Sequence, residues 1–89
     1  MKDTQSYIHT NQQRFLEELK DWLRIPSVSA DPVHREDVSK AAEFLADKLK
    51  GAGLDAVEIC PTQGHPIVYA EKIIDPSLPV ILVYGHYDV

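Results

Sequence analysis

The chain has a single cysteine, Cys60, so no internal disulfide can form. A disulfide-stapled secreted scaffold is thereby excluded, and an intracellular, cytoplasmic setting is expected. No apolar run approaches the length needed to span a bilayer. The opening residues Met1-Lys2-Asp3-Thr4-Gln5-Ser6 are polar, and no apolar core of a signal peptide follows them. Basic residues are the minority, nine against fourteen acidic, for a net charge of -5, and they form no cluster. Nucleic acid and anionic membrane are therefore poor candidates as partners. Internal repeats, low-complexity tracts and long linkers are absent as well.

What remains is ordinary globular material: 44% hydrophobic and 26% charged residues in a length of 89, enough for one small domain. Ile8, Phe15, Leu16, Leu19, Trp22 and Leu23 recur at helical spacing and predict a first helix with one apolar stripe. Asp3 or Thr4 can cap its start, and Pro26 ends it. Ile25 to Ala30 reads as a loop of small residues whose serines bond to local backbone. A nucleophilic serine there would need a base, for which His34 is near in sequence, but the structural role is favoured. A second helix begins either at Asp31-Pro32, as a cap followed by proline, or near Asp37. Val38, Ala41, Ala42, Leu45 and Leu49 form its apolar face, and Gly51 and Gly53 supply a left-handed stop.

The period then changes. Val57 and Ile59 alternate with Glu58 and Cys60, as in a short strand with one exposed face. Pro61 to Pro66 is turn chemistry, Ile67 to Ile74 a second strand, and Asp75 to Pro79 a second turn. The first two strands are expected to pair as an antiparallel hairpin. Val80-Ile81-Leu82-Val83-Tyr84 is a third strand, apolar enough to be buried on both faces. The fold class is thus α/β, two helices followed by three strands. The third strand has few partners to choose from, which points to an incomplete sheet whose open edge invites self-association.

Gly85-His86-Tyr87-Asp88-Val89 follows that strand directly, at the carboxyl end where α/β sheets gather ligands. In extended backbone His86 and Asp88 point to the same side. Histidine is a common zinc ligand, and a carboxylate beside it can bond its second ring nitrogen and fix the tautomer. By spacing alone the pair is a weak signal, and a solvated loop is the bland alternative. Cys60 and His65 could make a thiol nucleophile with its base, but a small buried cysteine is favoured. His9 and His34 read as solvated helix residues, His65 as a loop residue, and Trp22 as core. Tyr87 could line a cleft.

The closing motif resembles the first metal-binding motif of metallopeptidase family 20, which includes carnosinase, peptidase T, carboxypeptidase G, acetylornithine deacetylase and aminoacylase. Leu23-Arg24-Ile25-Pro26-Ser27-Val28-Ser29 resembles the phrase that follows the family's first helix, and Gly53-Leu54-Asp55 resembles the end of its second. Pro66 to Glu71 and Val83 to Val89 are most similar to the carnosinase-like dipeptidases. The resemblance covers nearly all of the chain but only the opening part of the family's mixed-sheet α/β/α catalytic domain. It implies that His86 binds one of two divalent metal ions, zinc first, with manganese or cobalt as alternatives. It implies that Asp88 is the acidic residue of the catalytic apparatus that supports this histidine. The bridging aspartate, the catalytic glutamate, the other ligands and the smaller dimerisation domain would lie beyond Val89. The substrate implied is a dipeptide, or a small N-acyl amino acid if the parent is a deacylase, and the parent would be a homodimer. With one histidine the isolated chain is expected to be inactive, since catalytic zinc takes about three protein ligands. A non-catalytic α/β fragment or a small binding module are the readings from other classes.

Overall fold

The computed structural model describes residues 2–89. Three helices precede one two-stranded antiparallel sheet: α1 Lys2–Thr10, α2 Gln12–Leu23, a 3-10 turn Pro32–His34, α3 Arg35–Gly51, β1 Ala56–Cys60 and β2 Ile67–Glu71. No helix among the described residues is long and apolar enough to cross a membrane.

The expected first helix is divided in two at Asn11, whose backbone leaves helical geometry at φ -102°, ψ 9°. Its amide donates to Tyr7 O at 3.0 Å, and its side-chain Nδ2 donates to the same carbonyl at 2.9 Å. The side chain thus shares an acceptor with the backbone at the break, a local bond of the kind that makes asparagine a poor residue for a helix interior. Across the break Tyr7 packs against Phe15, ring centroids 5.8 Å apart. The second half ends at Leu23, with the Arg24 amide closing the last turn on Lys20 O at 3.0 Å, two residues short of Pro26.

Both expected starts of the next helix are used. Asp31 accepts the Val33 amide at 3.0 Å and caps the 3-10 turn that begins with Pro32, and α3 follows from Arg35. The core lies along α3, where Val38, Ala41, Ala42 and Ala46 are buried. The alanines let other elements approach closely. On one side the hairpin lies across α3 with Val57, Val68 and Ala70 half-buried. On another, Trp22 of α2 stacks on Phe44 at 6.4 Å and 15°. Leu45 and Leu49 are half-buried. The helix stops as a Schellman motif: Gly53 N reaches Lys50 O at 3.1 Å and Leu54 N reaches Leu49 O at 3.2 Å. Gly53 has φ 97°, the left-handed conformation that glycine alone adopts without strain, while Gly51 is the last residue of the helix proper.

The hairpin is antiparallel as expected, with Ala56 opposite Glu71 and Cys60 opposite Ile67. β2 is shorter than the sequence suggested, ending at Glu71 rather than Ile74. The third strand is the main correction. Val80 to Tyr84 carries no regular secondary structure and pairs with no other strand among the described residues. Leu82 is 88% exposed. A doubly buried strand needs hydrogen-bonding neighbours on both sides and covering helices; the described residues supply one hairpin, and Val80 to Tyr84 pairs with neither of its outer edges.

Candidate metal-binding site

The residues after Gly85 are seated, although they belong to no helix or strand. They lie against the Ser27–Ser29 loop and the Thr62–Pro66 turn. Ser27, 1% exposed, anchors the loop. Its carbonyl accepts the Val89 amide at 2.9 Å, and its hydroxyl donates to Tyr87 O at 3.4 Å. The turn is shaped by Thr62, whose Oγ1 accepts from Gly64 N at 3.0 Å and donates to His65 O at 2.7 Å. This aims His65 at the loop, Nε2 to Ser29 O at 2.9 Å. A carbonyl can only accept, so that nitrogen carries the proton. Tyr87 completes the seat by donating its hydroxyl to Pro66 O at 2.6 Å.

The sequence-predicted pair is brought together here. His86 Nδ1 lies 3.2 Å from Asp88 Oδ1. A carboxylate accepts, so Nδ1 carries the proton and Nε2 keeps its lone pair in the neutral ring. Tyr84 sits edge-on to that ring, with its hydroxyl 3.3 Å from Nε2. The other oxygen of Asp88, Oδ2, accepts Ser29 Oγ at 2.5 Å. The Ser29 hydroxyl first, and His86 second, hold the Asp88 carboxyl below its ordinary range. Burial, with the Asp88 charge behind it, pushes the Tyr87 phenol up. These groups border a cavity of about 490 Å³, lined by Ser29, His65, Tyr84, His86 and Asp88 with Val38 and Leu45 of α3.

The pair fits one position of a metal site: an imidazole whose rear nitrogen is held by a carboxylate and whose front nitrogen keeps the lone pair a metal would take, here faced by the Tyr84 hydroxyl at 3.3 Å. It does not make a whole site. Among the described residues no three histidine, cysteine or acidic side chains come together as a ligand group.

The other candidates resolve otherwise. His65 directs Nε2 to Ser29 rather than to Cys60, and Cys60 is a half-buried free thiol on β1. His34 is half-buried, its Nδ1 paired with Asp37 Oδ2 at 2.9 Å, while the Ser27 and Ser29 hydroxyls turn to Tyr87 O and Asp88 Oδ2 rather than to His34. Trp22 is half-buried, as a core residue would be in so small a body. The expectation that the loop serines bond locally needs correction. Ser27 and Ser29 bond instead to Tyr87 and Asp88, separations of 60 and 59 residues. Ser29 is the site residue that sequence reasoning missed; at that separation only the paired small polar residues after Pro26 hint at a close approach.

No family model matches the chain, and no solved structure matches it significantly. Curated proteins do. The chain is 36% identical to the Beta-Ala-His dipeptidase of Mus musculus, over 93% of its own length and 19% of that protein's. It is 36% identical to the Cys-Gly metallodipeptidase DUG1 of Candida albicans, over 85% of its length and 18% of that protein's. It is 34% identical to the cysteinylglycine-S-conjugate dipeptidase of Corynebacterium striatum, over 89% and 17% respectively. The chain thus spans less than a fifth of the length of these relatives. Similarity across so much of its own length, to three dipeptidases from a mammal, a yeast and a bacterium, places the chain in metallopeptidase family 20.

Proposed function

We propose that this chain is the N-terminal part of a metal-dependent dipeptidase, and that His86 is a ligand to one of its two divalent metal ions. The observation that carries the reading is the His86 Nδ1–Asp88 Oδ1 contact at 3.2 Å, which leaves Nε2 as the ligating atom. Asp88 orients the ring and raises its basicity; it does not itself ligate. Such ions, zinc first, supply when bound a polarised amide carbonyl and a water of lowered pKa. The remaining ligands and the general base come from sequence beyond Val89. One imidazole falls short of the roughly three protein ligands that a catalytic zinc takes, and so the 89-residue chain alone is inactive.

The substrate is a short dipeptide. The relatives' names join different residues, β-alanine to histidine and cysteine to glycine, so support for the dipeptide class is stronger than for any one side chain. The parent is cytoplasmic and homodimeric in this reading. The test is His86→Ala in the full-length enzyme. Hydrolysis should be lost and bound metal reduced, with circular dichroism unchanged. Unaltered turnover would refute the assignment.

The exposure of Val80 to Tyr84 favours a second property of the short chain, self-association through unpaired strand edges. Sedimentation velocity over a range of concentrations should show dimers or larger species. A monomer at every concentration would remove this reading.

A further inference from the structure

We infer that Ser29 is a positioning residue of the metal site, fixing Asp88 so that His86 presents an unprotonated Nε2. The inference rests on His86 being a ligand, and it adds a group from the other end of the chain. A carboxylate on a segment without regular structure can rotate and offer either oxygen to its neighbours. Here it is held from both sides, with Oδ2 taking Ser29 Oγ at 2.5 Å while Oδ1 faces His86 Nδ1 at 3.2 Å. Ser29 is itself held. His65 donates to its carbonyl at 2.9 Å, and two residues earlier the buried Ser27 accepts the Val89 amide at 2.9 Å. A continuous chain of hydrogen bonds therefore runs His65–Ser29–Asp88–His86.

The linkage gives the loop phrase Pro26-Ser27-Val28-Ser29 a division of labour. Ser27 satisfies backbone groups of the closing residues, and Ser29 orients their carboxylate. Alanine at Ser29 would leave Asp88 with one partner instead of two and free to swing. The imidazole would then lose its fixed tautomer, and some molecules would carry the proton on the nitrogen meant for the metal.

The experiment compares Ser29→Ala, Ser29→Thr and His86→Ala with the parent in the full-length dipeptidase. Zinc affinity is read by competition with a chelator. The His86 tautomer is read from its ring nitrogen chemical shifts in the metal-free protein. Ser29→Ala should weaken zinc binding by roughly 10–100-fold, the usual cost of losing an outer partner of a ligand, and should mix the tautomers. Ser29→Thr keeps the hydroxyl and should restore both. Should Ser29→Ala fail to fold, Ser29→Cys fills the same space with a much weaker donor and carries the same test. Parent-like zinc affinity with an unmixed tautomer in Ser29→Ala overturns the inference, as does a Ser29→Thr protein no better than Ser29→Ala. If His86→Ala loses zinc while Ser29→Ala does not, only the role of Ser29 fails. If His86→Ala also binds zinc normally, the ligand assignment fails first.

Discussion

Tyr87→Phe removes one oxygen atom and leaves the ring in place, which makes it a clean probe of how the closing segment is seated. The lost contact is the hydroxyl's hydrogen bond to Pro66 O at 2.6 Å. A typical intramolecular hydrogen bond contributes about 1 kcal/mol net, rising to about 3 kcal/mol where a buried partner is left unsatisfied. Pro66 is half-buried, so water can reach its carbonyl in part and the lower figure applies. The segment belongs to no helix or strand, so it can open without unfolding α3 or the hairpin. Its opening is reported by the Val89 amide, which donates to Ser27 O at 2.9 Å. A loss of about 1 kcal/mol means opening is favoured roughly fivefold more. Native-state hydrogen exchange should therefore show Val89 exchanging about five times faster in Tyr87→Phe, with the α3 amides at Ala42 and Ala46 unchanged. Unchanged exchange at Val89 would refute the seating role of Tyr87. Equal acceleration at Val89 and Ala42 would show that the segment opens only with the whole fold.

Gly53→Ala should destabilise the chain by about 1–2 kcal/mol, the cost of a left-handed residue with a Cβ. The added methyl meets nothing within 4 Å, so the cost is backbone strain alone at φ 97°. Thermal melts should show a fall of roughly 4–8 °C for each kcal/mol, and an unchanged melting temperature would contradict the Schellman assignment. Asp75 accepts from the Ser77 amide at 2.9 Å and the Ser77 hydroxyl at 2.8 Å, and these hold its carboxyl below the ordinary range. A lowered folded-state pKa means that its contribution is present above the unfolded value and is lost as pH falls through the folded one. Carboxyl-carbon NMR should place Asp75 below a free aspartate, and Ser77→Ala should raise it only part of the way, because the amide donor remains. An Asp75 that titrates like a free aspartate would count against the turn.

Three features were legible because their causes are local. The α3 face of Val38, Ala41 and Ala42 follows from spacing, and the left-handed stop follows from a glycine at Gly53. The hairpin follows from the change of period and the turn residues between its strands. The break at Asn11 was hidden because the apolar stripe continues through it. At the break one side chain adds a second hydrogen bond to Tyr7 O, and periodicity does not register that. The His86–Asp88 contact was visible as a spacing of two, but Ser29 was not, because it meets Asp88 across 59 residues of chain.

Val80 to Tyr84 shows where composition and pairing part company. Composition states what environment a segment suits, and five apolar residues suit a strand covered on both faces. Whether the strand forms depends on backbone partners, since each exposed amide and carbonyl keeps its hydrogen bonds to water unless another strand replaces them. Among the described residues Val80 to Tyr84 pairs with neither outer edge of the hairpin, and it stays exposed. The relatives are more than five times longer than the chain's share of them. An apolar segment whose residues call for burial, followed by a histidine and aspartate already paired, therefore fits the proposed dipeptidase, in which the sheet that would receive Val80 to Tyr84 and the ligands that would join His86 would both lie in the rest of the enzyme.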